Sequence, residues 1–83
     1  MPTTIEKIYQ SVMGGMQDNN INFGDLRNLL DNLGFEYRIK GDHFIYFYKN
    51  IPDNINIQPT GNKAKPYQVK QIRNYLLKYH IGL

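Results

Sequence analysis

The chain has 83 residues, 41% of them hydrophobic and 13% aromatic, and ten lysines and arginines against seven aspartates and glutamates give a formal net charge of +3. A chain of this length makes one small domain and excludes a second, because even one domain of this size buries only a little over ~60% of its unfolded surface. With no cysteine there are neither disulfides nor thiolate metal sites, which is compatible with a reducing compartment.

The opening Met-Pro-Thr-Thr-Ile-Glu-Lys is not followed by the apolar stretch of a signal peptide. No uninterrupted apolar run approaches the ~20 residues that span a bilayer, so the expectation is a soluble, cytoplasmic protein without a membrane partner. Thr3, with Glu6 three residues on, is a capping-box pattern that satisfies two free backbone donors reciprocally and opens a first helix. Ile5, Ile8, Tyr9, Val12, Met13 and Met16 follow at helical spacing as one apolar stripe. Gly14-Gly15 weakens its end, and Gln17 to Ile21 form a polar connection. A second helix is predicted from Asp25 to about Leu33. It has Leu26, Leu29, Leu30 and Leu33 on one face, Asp25 in the first turn where the helix dipole favours it, and Gly34 as C-terminal cap.

Gly41-Asp42 then separates two strand-like runs. Glycine supplies the positive φ at the first central position of a type II′ turn, so these two residues read as a hairpin loop that pairs Lys40 with His43. Side chains alternate across a strand, which places Phe35, Tyr37, Ile39, Phe44, Tyr46 and Tyr48 on one face, read as the core. Glu36, Arg38, Lys40, His43, Ile45 and Phe47 take the other, polar near the turn and apolar further away. A one-residue slip would bury Arg38 and Lys40, and this fixes the register. After a loop at Asn50-Ile51-Pro52-Asp53, Asn54 to Gln58 alternates Ile55 and Ile57 with polar residues, a strand with one wet face. Pro59-Thr60-Gly61-Asn62 is a turn-rich loop. The last helix starts at Pro66, where a proline loses no hydrogen bond, and runs to about Tyr79 on a stripe of Val69, Ile72, Leu76 and Tyr79. The predicted fold is α+β: after an extra N-terminal helix within residues 1–20, residues 23–80 follow the α-β-β-β-α order of a double-stranded-RNA-binding-like domain. Its three-stranded antiparallel sheet packs on helices.

Charge divides unevenly along this order. Residues 1 to 37 carry two bases against five acids, net −3, and residues 38 to 83 carry eight bases against two acids, net +6. The basic half holds His43, which points to a polyanionic partner there, with solvated surface charge as the plain alternative. Cleaving RNA without a metal uses the ribose 2′-hydroxyl as nucleophile. The protein must then move protons and stabilise charge on phosphorus. An imidazole suits the first task, since both its forms are present at neutral pH. Arg38 and Lys40 suit the second. Lys63 and Lys65 stand just before the Pro66 helix, whose free N–H groups and dipole favour an anion, so Gly61 to Gln68 reads as a phosphate-docking segment or as a plain solvated loop. His80, near the C-terminus, reads as structural or surface, and Tyr46 and Tyr67 read either way, as core or as site residues. Two histidines alone make no metal site, and neither a Gly-rich phosphate fingerprint nor a Ser/His/Asp arrangement is in view, so no cofactor is called for.

Taken together, these segments resemble the HicA toxins, the small mRNA interferases of HicA–HicB toxin–antitoxin modules. The likeness spans roughly Phe23 to Tyr79. Leu26-Arg27-Asn28-Leu29-Leu30 with Leu33-Gly34-Phe35 looks like the family's opening helix and its Gly-aromatic exit. Lys40-Gly41-Asp42-His43-Phe44-Ile45-Tyr46 looks like its Gly-Ser-His segment and the strand that follows. Ile55-Asn56-Ile57-Gln58-Pro59 with Ala64-Lys65-Pro66-Tyr67-Gln68 is similar to a sub-group with an extended C-terminal half. The resemblance implies a dsRNA-binding-like fold, ribonucleolytic cleavage dependent on His43, and a HicB-like antitoxin that covers the site. The chain departs from the family at Asp42, where serine is common, and a carboxylate there favours imidazolium yet repels an approaching phosphate. It also carries residues 1 to about 20 ahead of the usual start, whose stripe must extend the core, dimerise or meet the antitoxin.

The expectation is therefore a HicA-like endoribonuclease acting on mRNA, a monomer or weak homodimer, with His43 as general acid or base. Arg38 and Lys40 would hold the phosphate, and Lys63 and Lys65 would grip the RNA backbone. A non-catalytic RNA-binding module on the same basic surface is the alternative, and a protein-interaction domain built around the first helix is a third reading.

Overall fold

Thr4 starts the first helix, α1 (Ile5–Gly14): its hydroxyl accepts from the Lys7 backbone N–H at 3.2 Å, satisfying one of the donors that a helix start leaves free. The computed structural model describes residues 4–83, so the capping box expected at Thr3 lies outside the described residues. Ile8 and Val12 are buried, and Ile5, Tyr9 and Met13 pack against the core. Met16 does not belong to this stripe. The helix ends in a left-handed Gly15 at φ 75°, the chain turns away, and Met16 stands 88% exposed. A 3₁₀ turn at Asp18–Asn20 follows. Arg73 ties these pieces together, its guanidinium donating to the Val12 carbonyl at 3.0 Å and to the Asp18 carboxylate at 2.9 and 3.2 Å.

Helix α2 (Phe23–Asn32) begins two residues before the sequence places it, because Asn22 caps it by accepting from the Asp25 N–H at 3.0 Å. Its other end is a Schellman motif: Phe35 N–H reaches the Leu30 carbonyl at 3.1 Å and Gly34 N–H the Asp31 carbonyl at 3.2 Å, with Gly34 at φ 96°. Leu26, Leu29 and Leu30 have no exposed surface. Fully burying a side chain of this size contributes about 1.5–3 kcal/mol, so this face anchors the core.

Strands β1 (Glu36–Lys40), β2 (His43–Phe47) and β3 (Asn54–Ile57) form an antiparallel sheet in the order β1-β2-β3. Lys40 pairs with His43 and Tyr37 with Tyr46, the register the turn demands, and φ is +63° at Gly41 and not positive at Asp42. Phe44 and Tyr46 lie opposite Ile57 and Ile55, so one face of β2 and β3 is core. The expectation that the whole aromatic face is buried fails on β1. Tyr37 is 43% and Ile39 55% exposed, because β1 is the outermost strand and runs beyond the cover of the helices. Arg27 closes the core on that side. Its Nε donates to the Tyr46 hydroxyl at 3.0 Å and its guanidinium lies 4.3 Å from the Phe44 ring centre and 4.9 Å from that of Tyr37.

Residues 59–64, expected as a loop in their first half, form a small ribbon of β4 (Pro59–Thr60) and β5 (Lys63–Ala64). Ala64 N–H donates to the Ile21 carbonyl and Phe23 N–H to the Asn62 carbonyl, each at 2.9 Å, which stitches the ribbon to the start of α2. Helix α3 (Pro66–Lys78) has proline at its first turn and buries Val69, Ile72, Tyr75 and Leu76, while Tyr79 is only partly covered. Tyr75 and Tyr79 donate to the Asp53 carbonyl and carboxylate, pinning the loop before β3 to the end of α3. The protein is thus α+β, with α3 against β3, α2 meeting the same face of the sheet through Phe23 and Arg27, and α1 packed on α2 and α3. Among the described residues, no helix is long and apolar enough to cross a membrane.

Candidate functional site

Among the described residues, the opposite face of the sheet contributes none of its side chains to the core. Glu36, Arg38 and Lys40 from β1, His43, Ile45 and Phe47 from β2, and Asn54 and Asn56 from β3 share it by strand alternation and register. Its polar members are all exposed, and Ile45 and Phe47 are half-buried.

His43 projects outward with 48% of its side chain exposed. Its Nδ1 lies 3.0 Å from Asn56 Oδ1. An amide oxygen only accepts, so this pairing places the proton on Nδ1 and leaves Nε2 as the basic nitrogen of the neutral ring. Nε2 stands 3.7 Å from Asp42 Oδ1. The Asp42 carboxylate is itself held: Gln58 Nε2 donates to it, and that bond, helped by the positive charge of Lys65 and by His43, holds its carboxyl below the ordinary carboxylate range.

Gln58 is the hub of this arrangement. Its Oε1 accepts from Lys65 Nζ at 3.2 Å, and its backbone N–H donates to Gln68 Oε1 at 3.0 Å. Gln68 is buried, 4% exposed, so the hairpin tip is braced against the first turn of α3 by a side chain with little freedom. Lys65, the residue before Pro66, thereby joins the histidine's surroundings although the two are far apart in sequence.

Of the residues singled out in the sequence, Lys40 faces His43 directly across the hairpin. Arg38 shares the face but leans toward the far end, its guanidinium 5.9 Å from the Phe47 ring centre. Lys63 does not join the cluster, because its Nζ donates to Asn20 Oδ1 at 2.8 Å beside the 3₁₀ turn. Tyr46 is wholly buried and belongs to the core, while Tyr67 is 65% exposed at the start of α3. His80 is exposed in a left-handed conformation just past α3, away from the site's contacts. Asn56, Gln58 and Gln68 are the functional residues that sequence reasoning missed. Alternation placed Asn56 on the wet face of its strand, and only the β2–β3 register, which sets Ile45 opposite Asn56, brings it beside His43.

Among the described residues, no three or more His, Asp or Glu side chains gather in a way that would hold a metal ion. What the arrangement offers is one exposed imidazole held by Asn56 and flanked by Asp42, with Lys40 opposite it in the register and Lys65 linked to it through Gln58 and Asp42. Compared with protein-family models, with curated proteins and with solved structures, the chain finds no match.

Proposed function

We propose that the protein is a HicA-like endoribonuclease that cleaves mRNA without a metal, on a dsRNA-binding-like arrangement of its α-β-β-β-α core. The observation that carries this reading is His43 exposed on the sheet, with Nδ1 engaged by Asn56, Nε2 beside Asp42 of the Asp42–Gln58–Lys65 chain, and Lys40 opposite it in the strand register. In the reaction, Nε2 takes the proton of a ribose 2′-hydroxyl as its oxygen attacks the adjacent phosphorus. The bond to the 5′-oxygen breaks and that oxygen takes a proton from water, leaving a 2′,3′-cyclic phosphate, a 5′-hydroxyl end and an imidazolium that returns its proton to solvent. Lys40 and Lys65 stabilise the charge that gathers on the non-bridging oxygens, and Arg38 steadies the chain further along the sheet. One general base contributes typically ~10²–10⁴-fold, so the enzyme is modest and depends on positioning. A HicB-like antitoxin neutralises it by covering the same face.

His43→Ala is the test. With a chelator present, the parent is expected to cut a single-stranded RNA to cyclic-phosphate products and the variant to lose that activity. Equal rates for the two proteins remove the catalytic assignment.

The non-catalytic RNA-binding reading keeps one specific support, the Asp42 carboxylate 3.7 Å from Nε2, where a phosphate must approach. It predicts salt-sensitive RNA affinity with the RNA recovered intact.

A further inference from the structure

Phe47 puts a half-buried phenyl ring on the face of the sheet turned away from the core. It lies four residues along β2 from His43, roughly 13 Å at the rise of a strand, with Ile45 between them. Arg38 brings its guanidinium to 5.9 Å from the ring centre. Glu36 is its cross-strand neighbour on β1 and Asn54 its neighbour on β3, and both are exposed. The core lies on the other side of the sheet, and the ring, half-buried among its neighbours on this one, is not part of it.

A planar ring beside a planar cation, rimmed by a carboxylate and an amide, has the chemistry that receives a splayed-out nucleobase. Base and ring stack, the guanidinium adds a cation–π contact, and the polar rim meets the base edge. In a duplex each base is already stacked on its neighbours, so such a ring is served only by an unpaired base. Glu36 narrows the choice. Its charge repels phosphate, which keeps the backbone toward the Lys40 and His43 end, and a carboxylate accepts from an exocyclic amine and not from a carbonyl.

Resting on the RNA-directed reading of this face, we propose that Phe47, Arg38, Glu36 and Asn54 form a nucleobase subsite. It takes an unpaired, amino-bearing base of a single-stranded RNA whose phosphodiester backbone passes His43.

The chain has no tryptophan, so Phe47→Trp provides a lone fluorescent reporter at the subsite. In a His43→Ala background, which keeps the RNA intact, oligoadenylate is expected to quench its emission saturably. Oligouridylate should quench more weakly and their duplex not at all. Phe47→Leu retains apolar volume without a π face and is expected to weaken oligoadenylate binding about 5- to 150-fold, the weight of one base–aromatic stack. Its circular dichroism is compared with the parent's, so that loss of binding is read on a folded protein. Binding that leaves the tryptophan emission unchanged, equal quenching by the duplex, or parental affinity in Phe47→Leu overturns the subsite, and equal quenching by oligouridylate overturns the role of Glu36. Parental cleavage is followed in parallel. Cleavage without quenching removes the subsite and leaves the nuclease, quenching without cleavage does the reverse, and the loss of both removes the RNA-directed reading itself.

Discussion

Asn56 decides which nitrogen of His43 is free. Its amide oxygen, 3.0 Å from Nδ1, favours the proton on that nitrogen and holds the ring's rotation; in the proposed reaction this would direct Nε2 at the phosphate. Asn56→Ala is expected to slow RNA cleavage about 10-fold or more while leaving the melting temperature close to the parent's, since the residue is exposed. Asn56→Asp, which also accepts from Nδ1, should recover most of the rate. A rate unchanged in the alanine variant means the ring needs no orienting partner. At this scale the sequence was partly legible. His43, Lys40 and Arg38 follow from the two-residue turn and the alternation on either side of it, because both are local. Asn56 and Gln58 do not, since the six-residue connection between β2 and β3 leaves their relative register unspecified until the strands pair. Lys63 and Lys65 look equivalent in sequence, yet Asn20 takes one and Gln58 the other, a choice made by the ribbon's docking on residues 21–23.

The elements hold through their ends. Gly34 sits at φ 96° in the motif that turns α2 into β1, and a side chain there meets only ordinary van der Waals contact with Tyr48, so the cost of adding one is conformational. Gly34→Ala is expected to destabilise by about 1–2 kcal/mol, seen as a lower denaturant midpoint with unchanged slope. At the far end of α3, the Tyr79 hydroxyl, with Lys78 adding its positive charge, holds the Asp53 carboxyl below the ordinary carboxylate range. A carboxyl lower in the folded than in the unfolded chain contributes stability that is fully present above its unfolded value, near ~4, and is lost as pH falls toward the folded one. Melting curves should therefore show Asp53→Asn less stable than the parent at pH 7, with the difference shrinking on acidification below about pH 4. A difference that persists at acid pH would mean the carboxylate's charge is not what Tyr79 and Lys78 respond to. Helices and the hairpin were readable because their periods and caps are local. The β4–β5 ribbon was not, since two-residue strands carry no period and exist only by pairing with each other and with the segment before α2.

For the whole molecule, sequence alternation separated the two faces of the sheet correctly but gave no account of how far the helices reach across it. That reach leaves β1 only partly covered, with about half of Tyr37 and Ile39 open to water and its outer side paired with no strand among the described residues. A row of backbone donors and acceptors without partners is a template, and any extended chain that meets it, including another copy of this one, is offered a ready ladder. What stands in the way is charge: Glu36, Arg38 and Lys40 occupy alternate positions along that rim. Replacing Arg38 and Lys40 together by threonine raises strand preference as it removes the repulsion. The doubly substituted protein is expected to scatter light and sediment within hours at concentrations where the parent stays clear. If the double variant behaves so, the two cations proposed to meet RNA would also guard this edge against fibre growth, and a weaker grip would then carry a penalty in solubility.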